Sequence, residues 1–261
     1  MDALLSTFLK AHPSFRFRAL GARANRDALD LVPYGHAVEF LDAAEHSAWV
    51  DRYHAANLAR FTGPVALPGW VLVDLYLMPA AIGLLTCPAR LCDIRPAGLG
   101  DDDEAIAAAY YAAPSIAPGT VIGVSLISLC EGIGAAGLVK AVTLRMLRAE
   151  RQRGIAQWSN RSLRVHTRLG ALRLEGPVPG AHGKAGESFV YSVDLRDPAV
   201  VAAAMGRPSS GADPYPPPGA RWLPVADRAA LAALLDRAAA GEAIDILPPG
   251  LSRDGLRVLV R

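Results

Sequence analysis

A strand that runs into a glycine-rich loop and then into a helix constrains this chain more than any other feature. Residues 121–129 are an apolar run of strand formers, residues 131–137 read Glu-Gly-Ile-Gly-Ala-Ala-Gly, and an amphipathic stretch begins at Leu138. Glycines at such a junction let backbone N–H groups approach a bound group closely. The amino end of the following helix adds unpaired donors and a partial positive charge. The expected ligand therefore carries phosphate, and a diphosphate group fits best. The competing reading is a glycine-rich turn that serves packing alone.

Length and composition narrow the setting. At 261 residues, with 52% hydrophobic and 20% charged residues, the chain can bury a sizeable core as one large domain or a medium one with an appendage. A net charge of +2 gives no strong pull toward nucleic acid, despite clusters at Arg16, Arg18, Arg23 and Arg26 and at Arg145, Arg148, Arg151 and Arg153. Cys87, Cys92 and Cys130 cannot all pair, and six scattered histidines never reach a zinc-finger spacing. Reduced thiols and no metal are expected. Asp2, Lys10 and His12 interrupt any secretion leader, so the expected location is cytoplasmic. Residues 70–89 have the length of a bilayer span with Asp74 as their one charge. Pro79 and Gly83 divide them, so two buried strands, 70–77 and 82–86, are expected and no membrane span.

Along the chain the patterning predicts a short helix at 2–10, an undetermined segment to about 30, a strand from Gly35 and an amphipathic helix at 43–61. His46 and His54 on that helix lie two turns apart, too far to share a metal alone. Residues 88–100 read as a loop. The run Asp101-Asp-Asp-Glu104 loads acid onto the start of a helix reaching Ala113, which Pro114 and Pro118 end. The helix after the glycine loop turns Leu138, Val139, Val142, Met146 and Ala149 to a sheet and Lys140, Arg148 and Arg151 away, and Gly154 stops it. A short strand at 155–158 precedes a helix capped by Ser159 or Asn160 and ended by Gly170. Strands at 171–175 and 188–194, a linker at 206–219 with three consecutive prolines, an alanine-rich helix at 226–240 and a last strand at 256–260 complete the order.

That order over residues 35–196 resembles the GCN5-related N-acetyltransferase family. The residues that carry the resemblance are Glu131-x-x-Gly134-x-Ala136, against the family's Arg/Gln-x-x-Gly-x-Gly/Ala, and the segment Ser159 to Ala171. The latter follows the family's Asn-x-x-Ser-x-x-x-Tyr/His-x-x-x-Gly-Phe, with Ser159 at the Asn position, His166 at the Tyr/His position and Ala171 at the Phe position. The resemblance implies a mixed, mostly antiparallel α/β sheet flanked by helices. It also implies acetyl-CoA or another acyl-CoA as co-substrate and an amine of a small molecule as acceptor. Cofactor contacts would come from Ile127, Leu129, Gly132, Gly134, Ala135, Ala136, Ser159 and Ser162, with backbone near 127–129 holding the pantetheine arm.

Acyl transfer from a thioester to an amine needs a neutral nucleophile, donors facing the developing oxyanion and an acid for the departing thiolate. His166, whose ordinary pKa lies near neutrality, would be that acid. Asp74 and Glu131 are the carboxylates that sequence order offers as base, and a water could serve instead. Glu131 stands where the family has Arg or Gln, and a carboxylate beside a diphosphate is repulsive unless it is turned away or paired. The acceptor is expected under residues 93–118; Trp70, Tyr76, Tyr110 and Tyr111 either face an apolar acceptor or acyl group or, as aromatic residues at such spacing more often do, belong to the core.

Two other classes stay open. The stretch Gly132-x-Gly134-x-x-Gly137, a helix, then Ile155 to Arg161 resembles the NADP-binding half of shikimate-dehydrogenase-like oxidoreductases, with Asn160 and Arg161 at the 2′-phosphate. A cofactor-free member of the acetyltransferase fold, acting as a binding protein, is the third. The expected organisation is an N-terminal extension at 1–34, an acyltransferase-like domain at 35–205, the linker 206–219 and a C-terminal helix-strand appendage at 220–261. Homodimer formation stays open.

Overall fold

The computed structural model describes residues 3–61, 63–178, 187–196 and 217–261. The expected linker, up to residue 216, and the boundary at 205 lie outside the described residues. The chain forms two compact units, Met1–Ala149 and Glu150–Arg261.

The first unit begins with helix α1 (Ala3–Ala11) and strands β1 (Arg16–Gly21) and β2 (Val38–Asp42). Helix α2 (Ser47–Arg60), the short α3 (Asp74–Leu77), strands β3 (Ala81–Pro88), β4 (Glu104–Pro114) and β5 (Thr120–Ser128), and helix α4 (Ala135–Met146) follow. The strand order is β2-β1-β3-β4-β5, with β1 and β2 parallel and every other pair antiparallel. Side chains alternate across the strands. Ile82, Leu84, Ala109, Tyr111 and Ile127 join Trp49, Val50, Tyr53 and Ala56 of α2 in one core. Gly83 instead faces Thr143, and Tyr110 faces Lys140, both on α4. The two long helices thus cover opposite faces.

Several expectations for this unit are corrected. Residues 104–113 form a central strand rather than a helix: their alanines favour helix in isolation, but burial along nearly the whole of β4 between two helix layers overrides propensity. Residues 70–77 form a 3-10 turn (Gly69–Val73) and α3 rather than a strand. Leu72 and Leu75 point inward while Trp70, Val73, Tyr76 and Leu77 are exposed, a helical pattern that an unbroken apolar run conceals. Helix α4 ends at Met146, before Arg148 and Arg151, and Lys140 is wholly buried rather than on a solvated face. No helix among the described residues is long and apolar enough to cross a membrane.

The second unit contains strands β6 (Arg151–Gln157), β7 (Leu172–Pro177), β8 (Ser188–Asp194), β9 (Arg221–Leu223), β10 (Ile244–Ser252) and β11 (Gly255–Val260), with helices α5 (Leu163–His166) and α6 (Arg228–Ala239). Gly154 sits inside β6 and does not end a helix. Strand order is β6-β8-β7-β10-β11-β9, every pair antiparallel. Residues 220–261 therefore supply three strands to this unit. Asp245, 3% exposed, anchors that joint by accepting from Arg173 Nε at 2.6 Å and pairing with Arg261 Nε at 3.2 Å. Asp227 caps α6, accepting from Ala230 N–H at 3.0 Å. Replacing it with alanine should cost about 1 kcal/mol in denaturant unfolding, and no loss would mean the cap is idle.

Candidate functional site

The loop between β5 and α4 presents unpaired backbone donors at a helix start. Gly132 (φ 78°) and Gly134 (φ 81°) take left-handed backbone that a side chain would strain, and Gly134 is the residue from which α4 starts. Leu138 is the first residue to donate within the helix, to Gly134 O at 3.1 Å, and Ile133 donates to Glu131 O at 3.0 Å. The amides of Gly132, Gly134, Ala135, Ala136 and Gly137 meet no acceptor among the described residues, as the first turn of a helix requires. Those donors, together with the helix dipole, are what a diphosphate needs.

Glu131 does not oppose that charge. Its carboxylate is 59% exposed and lies 3.7 Å from Arg60 Nη2, while its N–H donates to Asp93 Oδ2 at 2.6 Å. The position is thus paired, as the fit to a diphosphate demands. Leu129 departs from expectation. Its N–H donates to Ala107 O and its carbonyl accepts from Asp93 and Ile94, so none of its backbone groups is left for a pantetheine arm. Ile127 is buried within β5. Nearer the start of β5 the register against β4 shifts between Tyr111 and Ala112. Ser125 and Gly123 flank the extra residue Val124 there. Such a bulge bends the strand and breaks its pairing locally.

Polar groups that periodicity could not single out gather beside this bulge. Asn57, 1% exposed on α2, donates to Ser125 Oγ at 3.0 Å and accepts from Leu67 N–H at 2.7 Å. Tyr53 and Tyr111 stack edge to face at 6.3 Å, and Tyr111 donates to Val71 O. Burial pushes both hydroxyls above the usual phenol range, Asp74 adding to the effect at Tyr111. Asp74 thus stands, half-buried, at the start of α3 near that ring. Among the described residues no hydrogen bond or ion pair joins it to Glu131. On the opposite face Lys140 Nζ lies 5.8 Å from the Tyr110 ring, and desolvation holds it well below the ordinary lysine range.

Directly ahead of the loop the three cysteines converge. Hydrogen bonds from Cys130 and Cys87 lower the Cys92 thiol below the ordinary thiol range, whereas Cys130 is pushed up by its bonds to Cys87 and Cys92 and by burial. The spacing Cys87-x4-Cys92, with Cys130 two residues before the first glycine, is the signal that reading the cysteines as isolated thiols passed over.

In the second unit, Ser159 is exposed, Asn160 Oδ1 accepts from Ser162 N–H at 2.8 Å, and Ser162 opens α5. Asn160 therefore shapes the turn. Ser159, Arg161, Arg164 and Arg253 line a cavity of about 480 Å³, a cationic recess that could take a phosphate. His166 is 7% exposed, with its ring 5.1 Å from that of Tyr191. The antiparallel β4–β5 pair also differs from a doubly wound dinucleotide fold, which needs parallel strands joined by crossover helices.

No protein-family model matches this chain, and no curated protein matches it. Solved structures do. The chain is similar to the ribosomal-protein-S18-alanine N-acetyltransferase from Escherichia coli, at 7% identity over 58% of this chain and 91% of that one, with TM-score 0.41. It is similar to the ribosomal L7/L12 α-N-protein acetyltransferase in complex with coenzyme A, at 12% identity over 60% and 93%, with TM-score 0.40. A GCN5-related N-acetyltransferase from Brucella melitensis matches at 17% identity over 63% and 78%, with TM-score 0.38. Identities are low and each TM-score is below 0.5, so the functional reading rests on this chain's own geometry.

Proposed function

We propose that this chain is an N-acyltransferase that moves an acyl group from acyl-CoA to the amine of a small molecule. The observation that carries the reading is the loop from Gly132 to Gly137, whose unpartnered amides at the amino end of α4 suit the coenzyme's diphosphate. The 3.7 Å ion pair of Glu131 with Arg60 supports it by offsetting the Glu131 carboxylate, although Asp93, whose Oδ2 accepts from the Glu131 N–H, brings a second carboxylate close to the loop. In the reaction the neutral amine attacks the thioester carbonyl, a C–N bond forms, the nitrogen passes its extra proton to solvent, the C–S bond breaks, and the thiolate leaves. Asp74 is the carboxylate assigned to take the ammonium proton before attack, and Glu131 serves its ion pair instead. The family resemblance assigns to His166 the proton that the thiolate receives.

Melting the full chain with acetyl-CoA, longer acyl-CoAs, free CoA, NADPH and NADH tests the reading. A ligand that binds only the folded state stabilises it by about 2.7 kcal/mol at a hundredfold excess over Kd. A rise with the CoA series alone is expected. A rise with NADPH alone would replace the reading with the oxidoreductase, and no rise with any of them would leave a cofactor-free binding protein. With an amine acceptor found by thiol release, His166→Phe should lower kcat by about a hundredfold or more while CoA still binds. An unchanged rate would leave His166 a packing residue beside Tyr191.

A further inference from the structure

Three sulfurs, two of them from buried residues, form a near-equilateral triangle in the first unit. Cys92 Sγ lies 3.5 Å from Cys130 Sγ and 3.8 Å from Cys87 Sγ, and Cys87 and Cys130 are 4.0 Å apart. Cys87 is 1% and Cys130 4% exposed, and Cys92 is partly exposed. They come from three separate positions: the end of β3, the loop after it, and the residue ahead of Glu131.

The spacing fits a metal better than a disulfide. A disulfide would draw one pair to about 2.05 Å and strand the third sulfur, and no pair here is set apart from the others. Thiolates bound to zinc at about 2.3 Å in tetrahedral array lie about 3.8 Å from one another, which the three observed distances bracket. From this geometry we infer that Cys87, Cys92 and Cys130 form a three-thiolate site for zinc, a thiophilic cation without redox chemistry of its own. The fourth position belongs to water. Cys130 lines a cavity of about 420 Å³ with His12, Leu91 and Asp93, which gives solvent a route to the sulfurs. Carbonyls stand close by: Cys130 Sγ donates to Leu91 O at 3.2 Å and Cys92 Sγ to Ile106 O at 3.9 Å. On uptake these thiols pass their protons to solvent and sulfur–metal bonds form, with no change of oxidation state.

Occupation would tie the segment after β3 to the residue just ahead of the glycine loop. The site stands independently of what that loop binds.

The test uses the full, reduced chain stripped of metal and titrated with Zn²⁺, and with Co²⁺ as an optical probe. Expected are one equivalent of Zn²⁺ per chain and, with Co²⁺, thiolate-to-metal charge-transfer bands with the d–d bands of a tetrahedral site. Cys92→Ser, the least buried change, should weaken Zn²⁺ binding by about a hundredfold or more, since even outer partners of a metal site are worth 10- to 100-fold. Should that variant fail to fold, alkylation of the wild-type chain decides, because Zn²⁺ should protect Cys92 from N-ethylmaleimide. Absence of the charge-transfer bands, undiminished binding by a folded Cys92→Ser chain, or alkylation unaffected by Zn²⁺ would each overturn the site.

Discussion

Replacing Gly134 with valine should abolish CoA binding while the rest of the first unit stays folded. Gly134 holds φ 81° and ψ 4° at the point where the chain turns from loop to helix. A β-branched residue is a true outlier there, and left-handed backbone costs an L-residue about 1–2 kcal/mol. The loop relieves that strain by turning away, which re-aims the amides of Gly134, Ala135 and Ala136. Each hydrogen bond to a charged group is worth about 1.5–3 kcal/mol. Losing two of them should weaken binding by about a hundredfold to ten-thousandfold. Gly241→Ala is the control, because it places a side chain at φ 97° in the second unit with nothing within 4 Å of the new atom. Calorimetric titration with CoA, alongside circular dichroism, reads the result. A Gly134→Val chain that binds CoA like the parent would place the diphosphate elsewhere and remove the main support for the acyltransferase.

The loop was legible because everything that makes it is local: glycines where φ turns positive, and strand and helix formers on either side. Strand β8 and helix α6 were legible for the same reason, with alternation in one and alanine-rich spacing in the other. What escaped depends on partners distant in sequence. Strand β1 reads as a charged segment, yet Arg18 is 9% exposed because Glu39 and Glu104 pair with it at 3.4 and 3.0 Å and the Trp49 ring lies 4.7 Å away. Strand β4 looked helical because alanine's preference is visible in sequence and the two layers burying it are not. Around the loop, the pairing of Glu131 with Arg60, the closure of Leu129's backbone by Ala107, Asp93 and Ile94, and the pairing of Asn57 with Ser125 all arise from the fold. The cysteines were counted correctly as an odd set that cannot pair fully. That the fold gathers all three is a tertiary fact.

Gly83→Ala should be among the most damaging single-atom changes in the chain, because it tests how α4 is placed. A β-carbon at Gly83 would overlap Thr143 Oγ1 outright and meet Phe17 Cζ at 3.2 Å. Thr143 is fully buried, and its hydroxyl donates to Val139 O at 2.7 Å, so it has no free space to retreat into. Overpacking of a close-packed core costs about 1–3 kcal/mol and sometimes more, and this site belongs at the upper end. A double-mutant cycle isolates the cause: with Thr143→Ala already in place, Gly83→Ala should cost about 2 kcal/mol less in denaturant unfolding. The same contact reaches the loop. Gly83 on β3 and the alanines of β4 let α4 lie close on the strands, which fixes where its first turn begins and where the amides after Gly134 point. Gly83→Ala should therefore weaken CoA binding even under conditions where the chain is folded, and Thr143→Ala should restore both stability and affinity. Full stability of Gly83→Ala alone would mean that α4 rides higher on β3, and the amide geometry that supports the diphosphate would have to be redrawn with it.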